Sequence, residues 1–255
     1  MKGAGRAAVV TGAGRGIGAA IARALAAEGI SVLLAARTQA EVDAVAAELR
    51  ARGATAHAAA CDVTDERSVR ALGHEANAKL GKVDILVNNA GVSSSAPLRK
   101  LTLDEWNRVL AVNATGVFLC TREFAPAMAE RGWGRVITIA STSGLEGGRY
   151  IAHYCASKHA AVGFTRAAAL ELEDRGVTVN AICPAYVDTP MTDRTLATVE
   201  TKTGLARDAA LRAVLETAGQ ERLIRPEEVA AEVARLCRDE AVETGQAIVL
   251  DGRSR

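Results

Sequence analysis

Ala7-Ala8-Val9-Val10-Thr11-Gly12-Ala13-Gly14-Arg15-Gly16-Ile17-Gly18 decides the fold: a short apolar run, a glycine-dense turn, then an alanine-rich segment to Glu28. The glycines stand where a strand passes into a helix. Glycine tolerates positive φ and lets a bulky ligand approach the backbone. Free N–H groups and the positive end of the helix dipole favour an anion at the same place. A strand, a glycine turn and a helix in this order predict a dinucleotide pyrophosphate site.

Outward from that turn, apolar runs alternate with amphipathic segments to the end of the chain. The expected strands are Ala7 to Thr11, Ser31 to Ala36, Ala54 to Ala60, Val83 to Asn88, Arg135 to Ala140, Val177 to Cys183 and Ala247 to Leu250. The expected helices are Arg15 to Glu28, Gln39 to Arg52, Asp65 to Leu80, Leu103 to Arg131, Ile151 to Arg175 and Pro226 to Arg238, several closed by a glycine. The strands are apolar on both faces, as in Val83-Asp84-Ile85-Leu86-Val87, so helices should cover both sides of a parallel sheet. The fold class expected is α/β: a Rossmann-type, doubly wound sheet of about seven parallel strands in a single domain, 1–255. Functional groups should then lie just beyond the carboxyl ends of the strands. The stretch 188–223 breaks the rhythm, being charged, threonine-rich and helical with no strand behind it, and reads as a substrate lid.

The 255 residues are 49% hydrophobic, enough for a two-sided core. Thirty-one Lys and Arg against 30 Asp and Glu give a formal charge of +1 with no basic block, so neither nucleic acid nor a membrane is an expected partner. The first apolar run is too short for a signal core or a span, and a cytoplasmic location is expected. Cys61, Cys120, Cys155, Cys183 and Cys237 are odd in number, widely spaced and without a Cys-x-x-Cys pair. They read as buried thiols, not disulfides, and no metal site is expected.

Gly12, Gly16 and Gly18 fall on the three glycines of the Thr-Gly-x-x-x-Gly-x-Gly turn, and the stretch resembles that of the short-chain dehydrogenase/reductase family. Gly14, Gly16 and Ala19 also satisfy the longer Rossmann pattern, so the turn alone does not choose between them. A carboxylate at the end of the second strand would accept hydrogen bonds from an adenine ribose, but here the strand ends Ala35-Ala36-Arg37-Thr38. Arg37, with Arg15 inside the turn, suits a 2′-phosphate, so NADP(H) is the favoured cofactor while NAD(H) stays open. The resemblance implies further that Ile17 lies in the turn's contact with the cofactor and that Asp62 and Val63 meet the adenine. It assigns Asn89, Ala90 and Gly91 to the nicotinamide side. On the residues alone, Asp62 reads equally as the lead-in to a helix cap at Thr64 or Asp65.

Tyr154 and Lys158 are four apart on an expected helix and share one face. A nearby ammonium favours phenolate and tunes the phenol for proton transfer. Ser141 stands thirteen positions upstream at a strand end, where this fold presents ligand-binding groups, and Asn113 lies within Val112-Asn113-Ala114. In order, Asn113, Ser141, Tyr154 and Lys158 resemble the catalytic set of the same family. That resemblance runs from Thr11 to Gly252. It implies that Tyr154 exchanges a proton with the carbonyl or alcohol oxygen, Ser141 hydrogen-bonds that oxygen, and Lys158 binds the nicotinamide ribose. It implies that Asn113 holds a water linking Lys158 to solvent; the plainer reading is a helix-kink residue satisfying backbone groups. Cys183-Pro184-Ala185-Tyr186-Val187-Asp188-Thr189 is similar to the family's Pro-Gly-x-Val-x-Thr segment, which implies cofactor contacts from Pro184, Val187 and Thr189. Ala185 departs from its glycine.

Ala140 to Gly144 and Tyr154 to His159 look most like β-ketoacyl reductases and aromatic-polyketide ketoreductases. The implied substrate is a small-molecule ketone or alcohol, a β-ketoacyl thioester on CoA or acyl-carrier protein or a related cyclic or aryl ketone. Its walls should be 93–96, 143–153 and the lid, with Arg149, Tyr150 and Tyr186 selecting, and Arg149, Arg194, Lys202 and Arg207 available to a phosphate. An NAD-dependent secondary-alcohol or hydroxyacyl-CoA dehydrogenase is the rival reading. A non-catalytic NADP(H) sensor has no need of the four residues together, and a sugar-nucleotide epimerase or dehydratase is disfavoured because the chain lacks room for the larger C-terminal domain of those relatives. Family members pair through helices like Leu103 to Arg131 and Ile151 to Arg175, which implies a homodimer or homotetramer.

Overall fold

The computed structural model describes residues 5–253; Met1 to Ala4, Ser254 and Arg255 of the expected domain lie outside the described residues. Seven strands form one parallel sheet in the order β3-β2-β1-β4-β5-β6-β7. They are β1 Ala7–Thr11, β2 Ser31–Ala36, β3 Ala56–Ala60, β4 Ile85–Asn88, β5 Gly134–Ile139, β6 Val177–Pro184 and β7 Ala247–Leu250. The order reverses between β1 and β4, and the gap beyond their carboxyl ends is where ligands of doubly wound sheets bind.

Alternation along each strand explains the continuous apolar runs. Ala8 and Val10, Val32 and Leu34, and Ile85 and Val87 point into one core with α1 (Gly16–Ala27), α2 (Gln39–Ala51) and α9 (Pro226–Leu236). Val9, Leu33, Leu86, Val136 and Val179 point into the other, with α3 (Glu66–Leu80) and α5 (Gly116–Glu130). Helices covering both faces favour apolar residues on both sides of the inner strands, and the polar exceptions, such as Asn88 and Asn180, are buried with hydrogen-bond partners. Asp65 caps α3, its carboxylate accepting from the Arg67 N–H at 2.9 Å, so of the two expected caps Asp65 is used.

One expected helix is divided. Leu103 to Arg131 is α4 (Leu103–Leu110), a π turn over Ala111–Thr115, then α5. The cause is Asn113, buried in that turn with its amide committed to tertiary partners; a π turn widens the helix by a residue and leaves the apolar periodicity nearly unchanged. The helix α6 runs Ala152–Leu172 and closes in a 3-10 turn, Glu173–Arg175. The stretch expected as a lid holds two helices, α7 (Pro190–Thr203) and α8 (Arg207–Thr217), packed on each other through Leu196, Ala210 and Val214 in a cluster apart from the two main cores. Among the described residues no helix is long and apolar enough to cross a membrane, and all five cysteines are free and buried.

Candidate active site

A groove opens above the switch between β1 and β4, lined at one end by the glycine turn and at the other by Tyr154 and Lys158. The turn is shaped by two residues in the left-handed region, Gly12 at φ +62° and Gly16 at φ +53°. A methyl at Gly18 would fall inside van der Waals contact of the Gly12 carbonyl oxygen and the Asn89 amide nitrogen. Those two groups are already bonded: Asn89 Nδ2 donates to Gly12 O at 3.0 Å and to Thr11 O at 2.9 Å. Thr11 Oγ1 completes the staple by accepting from the Asn89 and Ala90 N–H groups at 3.0 and 3.1 Å. Asn89 and Ala90 thus tie the end of β4 to the turn. Arg15 stands at the N-cap of α1, no side chain caps that end, and the first-turn N–H groups of α1 are left to an anion. This cradle fits a pyrophosphate.

Toward the end of β2 the wall is Arg15, Arg37, Thr38 and Glu41, then Cys61, Asp62 and Val63 beyond β3. Burial works to raise the Asp62 pKa, but hydrogen bonds from Thr64 N and Oγ1, at 2.9 and 2.8 Å, and the Arg37 charge outweigh it, so the carboxyl titrates below its usual range. Glu41 went unread in the sequence, although Thr38-x-x-Glu41 has the spacing of a capping box. No side chain caps α2; Glu41 turns instead to Arg15, Oε1 lying 2.6 Å from Nη1.

On the opposite wall stand Thr189, Pro190, Met191 and Arg194. Thr189 also caps α7, accepting from the Thr192 N–H at 3.5 Å. Pro184 and Val187 do not reach the groove wall. Pro184 ends β6, and Val187 bridges to Ile224 and packs into the core, which turns its side chain inward. Ala185 avoids positive φ and donates its N–H to Leu250 O at 2.9 Å, so this backbone has no need of glycine. Arg194, expected near a substrate phosphate, faces the dinucleotide groove; Arg207 is held in ion pairs with Asp193 and Glu200.

The four catalytic candidates converge from three elements. Ser141 follows β5, its Oγ accepting from the Ser143 N–H at 3.1 Å, which leaves its own proton to give. Tyr154 and Lys158 sit one turn apart on α6, the Lys158 nitrogen 5.8 Å from the Tyr154 ring centre and donating to Ile139 O at 2.8 Å. Burial pushes the Tyr154 pKa up to about 12, opposed by a hydrogen bond with Ser141, and burial pulls that of Lys158 down to about 8. Asn113 Oδ1 accepts from Val92 N at 2.9 Å while Nδ2 donates to Val92 O at 2.9 Å and Ser157 Oγ at 3.0 Å. Both of its amide hydrogens are spent on this clamp, beside Gly91, whose absent side chain leaves room between Asn113 and Lys158.

Lys158 makes the site costly to fold. From a usual 10.5 to about 8, its shift disfavours the folded state by about 3 kcal/mol while the unfolded chain stays protonated. Lys158→Met is therefore expected to stabilise the protein by about 1–3 kcal/mol at pH 7, after loss of the Ile139 hydrogen bond. Between about 8 and 10.5 the unfolded state binds more protons than the folded one, so wild-type stability climbs with pH and the variant's advantage shrinks. Thermal melts of both proteins from pH 6 to 10 check this; equal melting temperatures at pH 7 would contradict it.

Beside Tyr154, a part-buried polar cluster that the sequence did not announce joins the segment after β4 to α6. His153 Nε2 lies 2.7 Å from Ser94 Oγ, and Ser94 also bonds Glu105. Hydrogen bonds from Arg108 and then Ser94 hold the Glu105 carboxyl down at about 2. Ser94 therefore gives its proton to Glu105 and accepts from His153, which fixes the Nε2–H tautomer of the neutral imidazole. Tyr150, exposed, is the one described non-glycine residue at positive φ (+67°), and its carbonyl accepts from Ala96 N at 2.8 Å. Tyr186 is half-buried, its pKa raised by that burial.

Known proteins are similar to this chain along nearly its whole length. The model of the short chain dehydrogenase family matches residues 6–200. A protein assigned as the ketoacyl reductase of the monensin polyketide synthase in Streptomyces virginiae is 41% identical over 250 residues, 97% of this chain and 96% of that protein. The 3-oxoacyl-acyl-carrier-protein reductase of Synechocystis is 38% identical over 248 residues, covering 96% of this chain and 95% of its own. Among solved structures, a tryptophan variant of actinorhodin polyketide ketoreductase with NADPH superposes with a TM-score of 0.93 at 39% identity, covering 97% of this chain and 96% of that one. On that match and those identities the chain belongs to the short-chain dehydrogenase/reductase family.

Proposed function

We propose that this protein is an NADP(H)-dependent ketoreductase acting on a β-ketoacyl thioester or a related cyclic or aryl ketone. The observation that carries the reading is one groove with Lys158 and Tyr154, the latter hydrogen-bonded to Ser141, at one end and two guanidiniums, Arg15 and Arg37, at the other. The first set handles a carbonyl oxygen; the second suits a 2′-phosphate. Relatives named as ketoacyl reductases, and a neighbour solved with NADPH, support both halves.

Bound in the groove, the reduced cofactor supplies the hydride that goes to the carbonyl carbon. The Tyr154 hydroxyl donates the proton to the carbonyl oxygen. At a pKa of about 12 the hydroxyl is protonated at neutral pH, in the state that reduction requires. Ser141, its Oγ lone pair taken by Ser143, points its proton at the oxygen where negative charge develops. Lys158 brings positive charge beneath the phenol and lowers the cost of its loss of a proton. Asn113 holds Val92 and Ser157 in place, so a solvent link to Lys158 would run through the backbone of the π turn and not through the Asn113 amide. We assign α7 and α8 the role of a substrate lid over a single 1–255 domain, with a cytoplasmic homodimer or homotetramer as the working assembly and CoA or acyl-carrier-protein thioesters as carriers of the substrate.

The test is a fluorescence titration with NADPH and NADH, followed by turnover of each on a ketone panel that includes β-ketoacyl thioesters. Tighter NADPH binding with thioester reduction is the expected result. Arg37→Gln should weaken NADPH about tenfold or more and leave NADH nearly untouched, because it removes one charge-assisted contact. One observation favours the NAD-dependent secondary-alcohol dehydrogenase as a second reading: Arg15 is already paired with Glu41. NADH binding tighter than NADPH would select it.

A further inference from the structure

The Glu41 carboxylate lies at the point where the favoured cofactor differs from its rival. Glu41 belongs to the first turn of α2, directly after β2, and lines the groove with Arg15, Arg37 and Thr38. Its Oε1 is 2.6 Å from Arg15 Nη1, and this pair is part-exposed to solvent. The side chain is seated over the turn: a Cβ built on Gly14 would come 2.6 Å from Glu41 Cβ and 2.9 Å from its Oε2. Gly14 thus makes room for Glu41 as well as for a ligand. The carboxylate does not cap its own helix, although its position would allow that, so its placement is toward the groove.

Opposite it, Arg37 lies in no ion pair among the described residues and acts through its field on Asp62. Of the two guanidiniums, therefore, one is occupied before any ligand arrives and the other is open. A dianionic 2′-phosphate entering here competes with Glu41 for Arg15 and meets the Glu41 charge; a bare 2′-hydroxyl, which can donate to a carboxylate, does neither.

Resting on the NADP(H) reading above, we propose that Glu41 is a specificity-determining residue that holds Arg15 in reserve and lowers the NADPH-over-NADH preference below what the two arginines would set alone. The protein consequently discriminates between the cofactors less sharply than a groove with both arginines free.

The experiment measures dissociation constants by calorimetry for NADPH and NADH, and for the fragments 2′,5′-ADP and 5′-AMP, on the wild type, Glu41→Gln, Arg15→Gln, Arg37→Gln and the Glu41→Gln/Arg15→Gln double variant at low salt. Glu41→Gln is isosteric and at the surface, and its far-ultraviolet spectrum confirms the fold. The expected result is roughly a three- to tenfold tightening of NADPH and 2′,5′-ADP in Glu41→Gln, the scale of an exposed ion pair and an adjacent repulsion, with NADH and 5′-AMP within about twofold. Arg15→Gln should cost more NADPH affinity in the Glu41→Gln background than in the wild type, and both effects should fade in high salt. Unchanged NADPH and 2′,5′-ADP binding in Glu41→Gln, while Arg37→Gln still weakens them, overturns the inference and spares the cofactor reading. Equal tightening of all four ligands also overturns it, because Glu41 would then act on the shape of the turn. Loss of any phosphate preference in the wild type, unaltered by Arg15→Gln and Arg37→Gln, overturns the NADP(H) reading itself.

Discussion

Tyr154→Phe should lower ketone reduction by about a thousandfold and leave NADPH binding within about twofold of the wild type, because general acid catalysis by a positioned group contributes on the order of 10²–10⁴. The substitution keeps the ring against Lys158 and removes only the proton that reaches the carbonyl oxygen. Tyr154 is half-buried on the groove wall, where burial pushes the hydroxyl's pKa up to about 12 and its hydrogen bond is with Ser141. Single-turnover rates with NADPH in excess separate the proton step from binding. A variant that retains a tenth or more of the wild-type rate would move the acid to another group, with Tyr186, half-buried and near enough for its charge to act on Tyr154, as the first to examine.

Gly18→Ala should abolish measurable cofactor binding, a loss of more than about a hundredfold, and destabilise the fold by about 1–3 kcal/mol, the ordinary cost of forcing a methyl into a packed site. Gly18 avoids positive φ, so backbone strain is not the cause. The new methyl would displace the Gly12 carbonyl and the Asn89 amide, which hydrogen-bond each other at 3.0 Å and staple the turn to β4. Parting them opens the turn just where N–H groups must converge on a pyrophosphate. Thermal unfolding and an NADPH titration on the same preparation check the two halves. Normal binding by a destabilised variant would show that the staple serves the fold alone.

Both predictions were foreshadowed in the chain in different degrees. The sheet was legible because its strands are buried on both faces, so each apolar run stands out against the polar helix segments between them. Helix ends marked by glycine were legible to within a residue or two, Gly81 and Gly176 among them. At Asn113 the reading as a helix-kink residue satisfying backbone groups holds, but the π form of the kink was not legible, because one inserted residue hardly alters an apolar period and its cause is a tertiary contact with Val92.

The same division runs through the site. Tyr154 and Lys158 meet because four residues make about one turn of helix, and the glycine turn follows from glycine's freedom of φ; local chemistry is sufficient for both. The sequence by itself thus determined the α/β architecture, the placement of the glycine cradle and the helical Tyr-Lys pair. Only the tertiary structure decided that Val187 turns into the core while Arg194 turns to the groove, that Ser94 links His153 to Glu105, and that Glu41 leaves its own helix cap for Arg15. Each of those depends on partners far apart in the chain and on which buried or charged group reaches a partner first. Neither can be read from spacing, because spacing records only what is near along the chain.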